Sequence, residues 1–145
     1  MSVERWRRLL PGLWAGFLLC VAALATPAAF ATLVAADAGR VASRMLAQEA
    51  YTSLALGVVM LLLERAAPRR SGTSQFSAGL GLALGAIFCT VAGYFALQPM
   101  LASARAGQGP LSFGQLHAVS VGFFAVKLVL VTALAWRSVK PSISS

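Results

Sequence analysis

The sequence predicts an all-α membrane protein: an up-and-down bundle of four transmembrane helices with both termini in the cytoplasm. Three observations carry that prediction. The chain of 145 residues is 59% hydrophobic and 11% charged, with a mean hydropathy of +0.79, whereas soluble domains are roughly 45–50% apolar and about 25% charged. The apolar residues fall into four runs, each long enough for the ~20 residues a helix needs to cross a hydrocarbon core. The basic residues collect on one side of those runs. This composition excludes a soluble enzyme with a charged surface, a disordered tail and a disulfide scaffold.

The first run, Leu9–Leu33, is uncharged. It follows Arg5, Arg7 and Arg8 and contains Ala29-Phe30-Ala31, which also fits a secretory signal with a small-residue cleavage site. Its length exceeds an ordinary signal core, and keeping it gives an even number of spans, so it is read as a retained helix. Cys20 follows Leu19 rather than a small residue, which argues against lipidation. Pro27 is expected to kink this helix or end it early. The second span is placed at Met45–Leu63, the third at Phe76–Gln98 and the fourth at Phe113–Trp136. The runs are continuously apolar rather than alternating, so they are helices and not barrel strands. Residues 1–145 form a single four-span membrane domain.

Eight Lys/Arg (Arg5, Arg7, Arg8, Arg65, Arg69, Arg70, Arg137, Lys140) lie on one side of these spans. Three (Arg40, Arg44, Arg105) lie on the other. The positive-inside rule then puts both termini in the cytoplasm of a bacterial-type inner (plasma) membrane. Trp6, Trp14 and Trp136 are expected as interfacial anchors at that face. The basic clusters flank spans, so topology accounts for them and nucleic acid is not an expected partner.

The loops are short. Ala35–Arg44 is read as an outer lead-in capped by Asp37, with Arg40 and Arg44 on one face. Pro68–Gly72 is a turn signal in the cytoplasmic link, and Gly107, Gly109 and Pro110 mark the outer link. Close packing of small residues associates helices in lipid. Gly12 and Gly16, and Gly81 and Gly85, are spaced for it, either within the bundle or in a homodimer.

Ionisable groups within spans are costly and tend to mark function. Lys127 lies about 13 Å from the inner end of its helix at ~1.5 Å per residue, near mid-membrane. Helical side chains lean toward the helix N-terminus, here away from the nearer interface, so Lys127 points into the protein. Glu49 is the acidic residue at matching depth and the expected counter-ion. His117 and Ser120 share a face with Lys127. Thr90, Tyr94 and Gln98 climb the outer half of the third span. Thr26 on the first helix and Thr52 and Ser53 on the second add outer polar groups. Together these residues outline an outward-facing polar crevice of Glu49, Tyr94, Gln98, His117, Ser120 and Lys127.

His117, Cys20 and Cys89 are the weak candidates for metal ligation, but they show no ligand spacing. One histidine offers a haem only one axial ligand. No cofactor is expected on the first reading. No nucleophile motif, phosphate loop or carboxylate pair points to catalysis, and the protein is expected to be non-enzymatic.

Several segments resemble a known family. They are Leu13-Trp14-Ala15-Gly16, Thr26-Pro27-Ala28-Ala29-Phe30, Ala38-Gly39-Arg40-Val41-Ala42, Leu97-Gln98-Pro99, and Phe113-Gly114-Gln115-Leu116-His117-Ala118-Val119-Ser120. Over Leu9–Trp136 the chain resembles the transmembrane protein 205-like domain, formerly domain of unknown function 4149. The resemblance implies a four-span membrane protein and brings no catalytic activity. A looser likeness is to four-helix membrane proteins of the copper-resistance D type. The first functional reading is a small membrane protein that binds a solute, lipid or partner helix in the crevice, in transport or stress tolerance. The alternatives are a metal- or haem-handling redox protein centred on His117, with copper or haem as cofactor, and an accessory subunit of a membrane complex.

Overall fold

The computed structural model describes residues 2–67 and 77–139, all helical apart from short connections. The turn signal at 68–72, the first residue of the third predicted span, Phe76, and the basic residues Arg69, Arg70 and Lys140 lie outside the described residues. The helices are α1 (Val3–Thr32), α2 (Ala35–Ala66), α3 (Ala78–Arg105) and α4 (Phe113–Val139). Among the described residues these four are long and apolar enough to cross a membrane. Each packs on its two neighbours in a ring, with α1 against α2 and α4, and α3 against α2 and α4.

Every helix runs past its expected span at one end or both. The largest difference is at Ala35–Arg44, which is the first three turns of α2 and not a separate lead-in. Val34 occupies the cap position and no side chain caps the helix there, so Asp37 is not the cap. It pairs instead with Arg40 one turn on. Ser77 accepts from Leu80 N–H at 3.1 Å and starts α3. Past its predicted end α3 continues to Arg105, and there Gly107 N–H reaches the Ala104 carbonyl and Gln108 N–H the Ser103 carbonyl. That paired closure needs a left-handed residue, supplied by Gly107 at φ 72°. Ser112 and Gln115 start α4 reciprocally: Gln115 N–H donates to Ser112 Oγ at 3.2 Å, and Ser112 N–H to Gln115 Oε1 at 2.9 Å.

Pro27 does not end α1. The helix widens to a π turn over Val21–Ala25 and then continues to Thr32. A second π turn, Val91–Ala96, precedes Pro99 in α3. A proline ring clashes with the carbonyl four residues back and offers it no N–H. Those carbonyls belong to Ala23 and Phe95, each inside its π turn, where the wider spacing removes the conflict.

The tightest packing fills the half of the bundle that holds the N-terminus of α1. Leu10, Trp14, Leu18, Met60, Ala83, Ala86, Val131 and Leu134 form one buried cluster there. Trp14 is fully buried, not an interfacial anchor, since its face of α1 turns toward α2. Trp6 and Trp136 are exposed, as anchors must be. The glycines also differ from expectation. Among the described residues a Cβ on Gly12 or Gly16 would meet nothing within 4 Å, which leaves these two for the homodimer alternative, while Gly85 is close to Leu130 at 3.0 Å. The closest approaches use other glycines: Gly57 against Ile87 at 2.6 Å and Gly93 against Phe123 at 2.5 Å. Gly81 is half-buried on α3.

Candidate functional site

The half of the bundle away from the N-terminus is open. A cavity of about 570 Å³ lies there, and all six crevice residues (Glu49, Tyr94, Gln98, His117, Ser120 and Lys127) line it. Both π turns contribute wall, through Val21 and Ala22 on α1 and Gly93 and Tyr94 on α3. π turns are frequent at functional sites because they re-aim side chains without breaking the helix. Gly93 serves the site twice. Its missing side chain lets α4 approach at Phe123, and its carbonyl accepts from Ser120 Oγ at 2.8 Å.

Lys127 and Glu49 meet on the cavity floor. Nζ lies 2.7 Å from Glu49 Oε1, and each side chain is only 3% exposed. Two charges taken out of water cost several kcal/mol each, roughly offset by their attraction only when further hydrogen bonds complete them. Those bonds come from α2 and α1. Ser53, one turn along α2, donates to the same Glu49 oxygen, and Trp14 Nε1 donates to Ser53 Oγ at 3.0 Å. The Lys127 ammonium also stands 4.9 Å from the centroid of the Phe124 ring, a favourable cation–π placement. A continuous polar chain therefore runs from Trp14 through Ser53 and Glu49 to Lys127 and ties α1, α2 and α4 together.

Other polar residues expected here take different roles. Thr90 is buried beside the floor and its hydroxyl donates to the Ala86 carbonyl at 2.9 Å. Thr52, next to Ser53 on α2, is exposed and does not line the cavity. His117 is exposed at the cavity mouth and stacks on Phe113, with centroids 5.9 Å apart. The Arg105 guanidinium lies 4.8 Å from the other partner of that stack, the Phe113 ring. Cys89 is buried in the cavity wall, whereas Cys20 is exposed and outside it. Among the described residues, no group of three or more His, Cys, Asp and Glu is placed to hold a metal ion.

A second polar cluster, not anticipated from the sequence, closes the opposite end. Arg7 Nε donates to Glu64 Oε1 at 2.8 Å and Ser77 Oγ to Glu64 Oε2 at 3.1 Å. A Cβ on Gly79 would fall 2.7 Å from Glu64 Oε2. Glycine there leaves room for the carboxylate, which joins α1, α2 and α3. The signal available in the sequence was a single Glu at the end of an apolar run.

Residues 9–110 match the family described as Domain of unknown function (DUF4149). The chain belongs to this family. The DUF4149 match spans α1 to α3, including Glu49, Ser53 and both π turns, and stops before α4. The segment Phe113–Ser120 and Lys127 therefore lie beyond the matched region. No curated protein and no solved structure is significantly similar to this DUF4149 chain.

Proposed function

We propose that this DUF4149 protein is a non-enzymatic, multi-pass protein of a bacterial-type inner membrane, with cytoplasmic termini, that binds a small molecule in the cavity above Lys127 and Glu49. One observation carries the reading: a buried ion pair forms the floor of an open cavity instead of being enclosed by packing. If the pair served stability alone, apolar side chains of similar volume would do as well or better. Facing a cavity, it offers a ligand a donor and an acceptor at a fixed separation. The cavity volume falls within the ~300–1,000 Å³ range of small-molecule sites. The positive-inside balance supports the orientation, which places the cavity mouth on the outer side.

The test is thermal unfolding of the purified full chain against a panel of small polar solutes and membrane lipids. A ligand of the cavity raises the melting temperature of the wild type and loses its effect in Lys127→Met. If no member of the panel shifts melting, and native mass spectrometry finds the protein empty as purified, the reading is wrong.

A further inference from the structure

Helices α1 and α4 pack side by side around Leu10 to Leu18 and then part. All Cα separations between Val21–Thr32 and α4 exceed 8 Å. The cavity reaches both edges of this gap, at Ala22 and Phe30 on α1 and at Val121 and Phe124 on α4. Its lips are apolar and exposed: Phe30 by 53% and Val121 by 54%. An opening onto water would carry polar rims, so this one suits the hydrocarbon region. The geometry points to a ligand that enters sideways from the lipid, a single-chain amphiphile with a neutral head group that both donates and accepts hydrogen bonds. Long-chain alcohols and monoacylglycerols have that chemistry. The inference rests on the reading that the cavity binds a ligand, and adds the route and the ligand class.

The head group follows from what the floor leaves unused. Glu49 Oε1 receives both Ser53 and Lys127; among the described residues no hydrogen bond ends on Oε2, and no fully buried side-chain N or O lacks a partner, so Oε2 keeps contact with the cavity. Lys127 has three N–H donors, one spent on Glu49 and one face turned to Phe124. A free acceptor and a free donor thus stand side by side, as a hydroxyl requires. The pair is neutral as a unit, so an anionic head drawn to Lys127 would meet the Glu49 carboxylate at the same contact. The apolar walls hold the adjoining chain, and the gap between α1 and α4 lets the rest trail into the bilayer.

The experiment uses the full chain in phosphatidylcholine nanodiscs. The probes are a diazirine-bearing long-chain alcohol and the matching fatty acid, with labelled residues mapped by mass spectrometry. The alcohol is expected to label Val21–Phe30 and Val121–Phe124 in preference to the lipid-facing Leu13 and Val129, and unlabelled monoolein competes. Lys127→Met lowers that labelling about tenfold, the loss expected for one hydrogen bond to a charged group. Val121→Trp, at an exposed lip and away from the pair, abolishes it by filling the gap. Equal labelling at Leu13 and Val129, or tighter competition by the fatty acid, overturns the inference. If the alcohol fails to label but a water-soluble solute raises the melting temperature, the sideways route fails while cavity binding stands. If neither binds, both fail.

Discussion

Removing either partner of the Lys127–Glu49 pair should cost more than removing both. With Nζ and Oε1 2.7 Å apart, the gross attraction is about 6 kcal/mol at an effective dielectric of ~20. Desolvation of the two charges cancels most of it, so the net worth of the pair is small. Loss of one partner is another matter: it leaves a charge buried without compensation, at a cost of ~3–5 kcal/mol. Lys127→Met keeps an unbranched side chain, one atom shorter, and strands Glu49 with Ser53 alone. Glu49→Leu strands Lys127. The double substitution removes both charges and should come within about 1 kcal/mol of the wild type. The coupling energy from the cycle is then several kcal/mol, at or above the ~0.5–3 kcal/mol usual for contacting residues. Equilibrium unfolding of the four proteins in one detergent measures it. Additive effects, or two neutral single substitutions, would refute the claim that the pair is buried and mutually dependent.

Gly93→Ala places a Cβ 2.5 Å from Phe123 Cβ and should destabilise by ~1–3 kcal/mol through overpacking. Gly12→Ala meets nothing within 4 Å among the described residues and should leave the melting temperature unchanged or raise it, since alanine is the better helix former. Trp14→Phe removes the donor to Ser53 together with part of the buried indole, at a cost of ~1–3 kcal/mol, whereas Trp14→Ala opens a larger cavity and should cost ~3–5 kcal/mol. Both are read by thermal unfolding, and a neutral Trp14→Phe would show that the hydrogen bond contributes nothing. Glu64→Gln weakens the tie to Arg7 and Ser77 and should cost ~1–2 kcal/mol, the lower part of the range for charged hydrogen bonds because Arg7 is partly exposed. Proteolysis of the α2–α3 link should then accelerate.

The sequence was most legible where charge is scarce. Lys127 and Glu49 stand alone in their spans, so depth along two helices that run the same way was enough to pair them. Tyr94, Gln98, His117 and Ser120 share that depth and line one cavity. Depth says nothing of which face of a helix turns inward. Trp14 lies near one end of its span and looks like an anchor, yet its ring fills the core beside Gly57. Gly12 and Gly16 have the spacing of a packing motif but face outward, while isolated Gly57 and Gly93 make the close approaches. No local pattern marks a lone glycine opposite a bulky residue on another helix. Pro27 signals an interruption, but a π turn absorbs it and the helix resumes, as it does at the second π turn before Pro99. That choice depends on neighbouring helices holding the segment in line. The partners of Glu64 come from helices far apart in sequence and become visible only once α1, α2 and α3 are assembled.

The bundle is thus built asymmetrically, and the ion pair sits where its two halves meet. On one side Leu18, Met60, Ala86 and Val131 interlock, with Arg7, Glu64 and Ser77 holding the ends of three helices together. On the other, two π turns and the divergence of α1 from α4 keep the helices from closing. A carrier must expose its site to each side in turn, and here that means parting the packed half. Opening it would strip buried apolar contacts from Trp14 and Leu18 and break the Trp14–Ser53–Glu49 chain that completes the charge pair. Loading through the gap between α1 and α4 demands none of this. For the proposed ligand binding, the packing therefore favours uptake and release from one side, with Lys127 and Glu49 as a fixed floor rather than a moving gate.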